Sequence, residues 1–219
     1  MEPINKLIAG FARFRSKYFE GQSALFEKLS RHGQSPHVMV IACCDARVDP
    51  AIITDSDPGD LFVVRNVANL VPPCETGGGY HGTSAALEFA VCGLKVSHIV
   101  VLGHSHCGGV HTLLKDPSTQ QGDFIGPWMA LAEGACRQVN AAHAHAPEAT
   151  RQRACEQAVV RVSLKNLQTF PWIRERVEYG GLQLHGWYFD IDGGDLLCYN
   201  KKMTVLKISG EPCPPECMV

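Results

Sequence analysis

The sequence predicts an α/β fold: a mostly parallel β-sheet flanked by helices, with an N-terminal helical arm and a C-terminal edge hairpin. Three apolar runs before residue 105, "HVMVIAC", "LFVVRN" and "HIVVLGH", are continuous rather than alternating, as strands buried on both faces are. A helical stretch, "GTSAALEFAVCGL", separates the second run from the third, and strand, crossover helix, strand is the signature of a parallel sheet. The second half of the chain is mostly helical before a pair of strands returns.

In chain order, "MEPINKLIAGFARFRSKYFEGQ" carries Ile4, Leu7, Ile8, Phe11 and Phe14 at helical spacing. It reads as an amphipathic helix within an arm over residues 1–34, packing on the protein or on a sister subunit rather than on a membrane. An early acid and interrupted apolarity argue against a signal peptide. The crossover helix has Thr83 or Ser84 as its expected cap. Another helix opens after "CGG" with "VHTLL", and two long helical stretches follow, separated by Pro147. Pro171 starts a further helix, "PWIRERVEYG". "LQLHGWYFDI", the turn "DGGD" and "LLCYN" read as a hairpin that adds an edge strand. With no linker or repeat, residues 1–219 are expected to form one domain, ending in a proline-rich loose tail at 211–219.

The charge balance, 20 basic against 22 acidic residues, offers no basic field for nucleic acid. No apolar run approaches the roughly 20 residues of a membrane span. A chain of 219 residues builds its own core, so its ten cysteines are not expected to be a disulfide framework. The expectation is a cytoplasmic protein with mostly reduced thiols.

Function tends to sit outside the carboxyl ends of parallel strands, and two of the three runs finish in metal-capable residues. The first ends in Cys43-Cys44-Asp45-Ala46-Arg47, and the third in "GHSHCGG" with His104, His106 and Cys107. Strand alternation predicts that Cys43, Asp45 and Arg47 point one way and Cys44 points into the packing layer. His104-x-x-Cys107 places an imidazole and a thiolate about a turn apart at a glycine-rich corner. Either element alone is weak, since an isolated cysteine is more often a small buried hydrophobe. Together, two thiolates and an imidazole suit zinc, with a fourth position free or filled by Asp45.

At these residues the sequence resembles the β-class carbonic anhydrases. The resemblance runs through C-x-D-x-R at Cys43, Asp45 and Arg47, "RNVANLVPP" at 65–73, "VVLGHSHCGG" at 100–109 and "CEQAVVRVSLKNLQTFPWIRE" at 155–175. It implies one zinc per chain on Cys43, His104 and Cys107, and reversible hydration of carbon dioxide to bicarbonate by zinc-bound hydroxide. It also implies that Asp45 orients the hydroxide while Arg47 holds Asp45 off the metal. Gln34, and Val40 where a bicarbonate-inhibited subgroup has tryptophan, match the plant-like, open-site branch. Gln34, Phe62, Val67, Phe89 and Gly108 are then expected to line the substrate pocket. In this family the pocket crosses a dimer interface, so a homodimer or higher even oligomer is expected, with the N-terminal helix as an arm around the partner.

The chain departs from that pattern at Ala46 in place of serine and at Cys44, a thiol expected to pack. It departs again at Phe89 and Gly93, where plant-like members carry a tyrosine and a histidine. If that pair relays protons in relatives, turnover here should depend on buffer. His81, His106 and His111 are conceivable substitutes, each equally readable as a surface histidine. Cys74, Cys92, Cys136, Cys155 and Cys198 read as structural, and Cys213 and Cys217 as a small disulfide, a stray-metal site or an inert tail. Carbon disulfide and carbonyl sulfide hydrolases share the fold and ligands and form the competing enzymatic reading. A closed structural zinc site is the non-enzymatic one, against which the Asp45–Arg47 pair argues. "GHSHCGG" is no dinucleotide fingerprint.

Overall fold

A computed structural model describes residues 2–20, 25–77, 79–115, 122–200 and 204–208. Its N-terminal part holds α1 (Pro3–Arg15), which continues into a π-helical turn at Ser16–Glu20, and α2 (Leu25–His32). The sheet begins with β1 (Val38–Cys43), followed by the short α3 (Pro50–Ile53), β2 (Leu61–Asn66) and a 3₁₀ turn at Val67–Asn69. Then come α4 (Gly82–Glu88) with a π turn at Phe89–Gly93, β3 (His98–His104) and α5 (Gly108–Lys115). The remainder comprises α6 (Ile125–Ala142), α7 (Glu148–Leu167), α8 (Pro171–Glu178), β4 (Gln183–Asp190), β5 (Asp195–Tyr199) and β6 (Val205–Lys207).

The strands lie in the order β2-β1-β3-β4-β5-β6. β2, β1, β3 and β4 run parallel, while β5 and β6 are antiparallel additions. This is the α/β architecture that the sequence predicts, with two differences at its edges. β4 belongs to the parallel part, and β6 lies outside the β4–β5 hairpin. β2, read as doubly buried, is an outer strand on which Val63 is 39% exposed. An apolar run shows that a strand is covered without showing what covers it.

Alternate residues of the central strands feed separate layers. Met39, Ile41, Ile99 and Val101 pack against Val160 and Leu164 of α7, while Val40, Ala42, Val100 and Leu102 form a cluster on the other face. Each buried valine, leucine, isoleucine or methionine among them contributes about 1.5–3 kcal/mol relative to exposure. α7 sits close because β3 and β4 yield to it at glycines. A Cβ on Gly103 would lie 2.6 Å from Val160, and one on Gly186 would lie 2.7 Å from Leu164.

The crossover helix starts before its expected cap. α4 begins at Gly82 with no side-chain cap, and Thr83 Oγ1 accepts instead from Asn66 Nδ2 at 3.4 Å. Asp49 caps α3 by accepting from the Ala51 and Ile52 amides. No residue of α1 is buried, and Ile4, Leu7, Ile8 and Phe11 are each more than 60% exposed. No helix among the described residues is long and apolar enough to cross a membrane. Seven described cysteines are free, and Cys198 is disulfide-bonded. The expected tail at 211–219, with Cys213 and Cys217, lies outside the described residues.

Candidate metal centre

β1 and β3 are neighbours in register, so their carboxyl ends bring Cys43 and His104 together, and the turn after β3 returns Cys107 to the same point. One ligand atom from each lies within 4.8 Å of the others, and all three residues are buried. Cys43 Sγ is 4.0 Å from Cys107 Sγ. Two thiolates on a tetrahedral zinc at about 2.3 Å would sit about 3.8 Å apart.

The tautomer also fits a metal. His104 Nδ1 donates to the Ser105 carbonyl at 2.8 Å, which leaves Nε2 as the free lone pair, buried without a hydrogen-bond partner. An orphaned buried nitrogen beside two thiols is costly unless a cation fills the gap.

The backbone prepares both sulfurs to be anionic. Amides of Asp45 and Ala68 face Cys43, and those of Gly109 and Val110, at the start of α5, face Cys107. Ala68, at φ 62°, and Asn69, at φ 47°, hold the left-handed conformation that carries the chain back past Cys43. Without a metal the close thiols share a proton. The Cys107 S–H bond is the main reason that Cys43 ionises early, with its pKa lowered to about 4. Donating that proton, and then burial, push Cys107 far up. Burial acts to lower the pKa of His104, but the neighbouring Cys43 thiolate outweighs it and the net shift is upward.

Beside this cluster stands a clamped carboxylate. Arg47 Nε donates to Asp45 Oδ1 at 2.9 Å, Nη2 to Oδ2 at 2.7 Å, and the Arg47 amide to Oδ1 at 3.0 Å. Arg47 Nη2 also donates to the His106 carbonyl at 3.0 Å, tying the clamp to the ligand turn. The Arg47 side chain is the leading reason that the Asp45 carboxyl lies well below the usual carboxylate range.

Strand alternation does not explain this placement. β1 ends at Cys43, and Val48 N closes a turn onto the Asp45 carbonyl at 3.1 Å. Cys44 is therefore exposed rather than packed, contrary to expectation.

The expected pocket residues separate into two sets. Val67 follows Asn66, the register partner of Cys43, and Gly108 follows Cys107, so both lie beside the cluster. Phe62 pairs with Met39, four residues before Cys43, which is about 13 Å along the strand. Phe89 packs against Phe62 with ring centroids 5.9 Å apart and is half-exposed, and Gln34 precedes β1 at the same distant end. One chain does not bring Gln34, Phe62 and Phe89 to its own cysteines.

The three spare histidines have other partners or places. His106 Nε2 binds Asp192 at 2.7 Å, outside the ligand cluster, and His111 Nδ1 donates to Gln152 at 2.9 Å. His81 lines an apolar groove of about 830 Å³ that reaches Asn66, Val67 and Trp128.

Two supporting residues escape the sequence reading. Arg65 holds the end of β1 by donating to the Cys43 carbonyl at 3.0 Å, the Asp45 carbonyl at 2.7 Å and Asp49 at 2.9 Å. Glu156, on α7, accepts from the Cys107 amide at 3.0 Å. A signal for Glu156 existed: it is a carboxylate set between Cys155 and Ala158 on a helix that is otherwise buried there.

The geometry agrees with known proteins. The family profile described as "Carbonic anhydrase" matches residues 38–196. The chain is 41% identical over 200 residues to a carbonic anhydrase of Synechocystis sp., covering 90% of this chain and 71% of that one. The solved β-carbonic anhydrase CcaA superposes with a TM-score of 0.86 at 37% identity, over 95% of this chain and 93% of that one. A structure described among two tetrameric β-carbonic anhydrases of Sordaria macrospora gives a TM-score of 0.72 at 31% identity, over 94% and 95% of the two chains. From the cysteine–histidine cluster at the strand ends to the superposition of nearly the whole chain, the observations agree that this protein belongs to the β-class carbonic anhydrase family.

Proposed function

We propose that the chain catalyses the reversible hydration of carbon dioxide to bicarbonate and a proton, on one zinc ion held by Cys43, His104 and Cys107. The observation that carries this reading is the buried, partnerless His104 Nε2 facing two thiols, with a clamped carboxylate alongside. Zinc bound there would lower the pKa of water to about 7, supplying hydroxide near neutrality.

The chain's own groups do the rest. Asp45, ionised and fixed by Arg47, offers a carboxylate oxygen that accepts a hydrogen bond from a donor entering the site and so orients it. Arg47 occupies both carboxylate oxygens, which keeps Asp45 from becoming a fourth ligand. Gln34 and Val40 favour the plant-like, open-site branch. Phe89 and Gly93 carry no transferable proton, so proton export runs through water and buffer.

Gln34, Phe62 and Phe89 complete the pocket from a second copy. The register that keeps them away from their own cysteines and the uncovered apolar stripe of α1 support a homodimer or higher even oligomer. The tetrameric Sordaria relatives point the same way. Residues 1–219 act as one domain in this account.

The test is metal removal and reconstitution. Protein stripped by a chelator should lose carbon dioxide hydration, and one zinc per chain should restore it. Restored zinc without hydration, or with turnover of carbonyl sulfide instead, would overturn the reading.

A further inference from the structure

We propose that Glu156 is a positioning residue for the metal centre: through the Cys107 amide it sets where the Cys107 thiolate sits, and so how tightly and in what geometry the metal is held. The inference rests on the reading above and deepens it.

Glu156 is 3% exposed, on α7, in a chain segment 49 residues beyond Cys107. Its Oε1 accepts from the Cys107 amide at 3.0 Å and from Gln152 Nε2 at 2.9 Å, and its Oε2 accepts from the Tyr188 hydroxyl at 2.7 Å. It makes no ion pair among the described residues, because Arg153, three positions before it, pairs with Asp190 at 3.0 Å. A buried carboxylate with no cation against it is costly. Three well-directed donors offset that cost, and one of them belongs to a metal-ligating residue.

That residue needs an external hold. His106, immediately before Cys107, has φ 58°, a conformation that only its surroundings can maintain in a residue with a side chain. The turn has other restraints: the Ile191 amide holds the Ser105 hydroxyl, Asp192 the His106 ring, Arg47 the His106 carbonyl at the far end of the same peptide plane, and the His111 amide the Cys107 carbonyl. Glu156 grips the amide of Cys107 itself. The orientation of that peptide plane sets the direction of the Cα–Cβ bond and hence the position of Sγ. α7 is held close to β3 by the tight packing of Val160 on Gly103, one turn beyond Glu156, so the carboxylate has little room to follow a displaced turn.

The same side chain also ties α7 to β4 through Tyr188, and the experiment must separate the two roles. Zinc transfer from the holoenzyme to a chelating dye measures how firmly the metal is held. The visible spectrum of the cobalt(II)-substituted protein reports its thiolate geometry. Glu156→Met removes the acceptor at similar length and should release zinc about 10–100-fold faster, with shifted cobalt bands. Glu156→Gln should behave like the wild type, because an amide oxygen accepts from Cys107 and Gln152 while its nitrogen donates to the Tyr188 oxygen. Tyr188→Phe cuts the tie to β4 alone and should leave zinc release and cobalt spectrum unchanged.

The inference is overturned if folded Glu156→Met releases zinc at the wild-type rate, or if Tyr188→Phe releases it as fast as Glu156→Met. Should the methionine variant not fold, Glu156→Asp replaces it. Aspartate keeps the charge but withdraws the carboxyl by one methylene, and the same fast release is expected. A wild-type chain that takes up no zinc removes the metal reading and this inference together. A wild type that holds zinc beside an unaffected Glu156 variant removes this inference alone.

Discussion

Replacing Arg47 with alanine removes two of the three hydrogen bonds on the Asp45 carboxylate, those at 2.9 and 2.7 Å, and leaves the main-chain donor at 3.0 Å. The Arg47 side chain is 50% exposed, so solvent screens the pair and its share of global stability is about 0–1 kcal/mol. The melting temperature should barely move. Turnover should fall about 10–100-fold, the usual consequence of losing an outer partner of a metal site. That is about 1.4–2.7 kcal/mol of barrier. Without Arg47 the Asp45 pKa rises toward its ordinary value of about 3.9, so the carboxylate is still ionised at pH 7 and is released rather than protonated. Freed, it competes with hydroxide for the metal, and hydroxide competes better as pH rises. The deficit should therefore be larger at pH 7 than at pH 8.5. Arg47→Lys should recover only part, because an ammonium cannot hold both oxygens at once. Stopped-flow carbon dioxide hydration on zinc-replete variants reads all of this. Unchanged turnover in Arg47→Ala at both pH values would refute the clamp.

Three further outcomes follow from the geometry. If the pocket is shared between copies, mixing an inactive Cys43→Ala chain with an inactive Gln34→Arg chain should restore activity. Random pairing leaves about a quarter of the sites intact, and no recovery after remixing would contradict the shared pocket. Wild-type turnover should rise with buffer concentration, and Phe89→Tyr combined with Gly93→His should flatten that rise. The position admits the change, since a Cβ on Gly93 meets Phe89 at an ordinary 3.7 Å. Gly186→Ala should destabilise the protein by about 1–3 kcal/mol in thermal melts, because its methyl would sit 2.7 Å from Leu164 and 2.9 Å from Tyr199.

What the sequence disclosed, and what it hid, has a physical pattern. β1 and β3 are legible because strands covered on both faces need continuous apolar residues, and their ends carry Cys43 and His104 of the candidate metal centre. Cys43, His104 and Cys107 were legible because few other roles combine those types at a strand end. Cys44 was misread because alternation holds only while the strand lasts, and β1 stops one residue earlier. Arg65 and Glu156 were missed for a different reason. Their partners are main-chain groups 22 and 49 residues away, and side-chain identity says nothing about which peptide will be near. The separation of Gln34, Phe62 and Phe89 from the cysteines required the strand register, which no local pattern encodes.

The most direct test of the account is stopped-flow carbon dioxide hydration by the zinc-replete wild type at pH 7 and pH 8.5. The Asp45 pKa is depressed in the folded chain, so its pairing with Arg47 persists at every pH above the ordinary carboxylate value and is lost only as pH falls through the lower, folded one. Both conditions lie far above that window, and the account predicts rapid turnover at each. Activity at pH 8.5 that vanishes at pH 7 would mean that Asp45 leaves Arg47 for the metal, contradicting the open site. Zinc bound without turnover at either pH would contradict the proposed function itself.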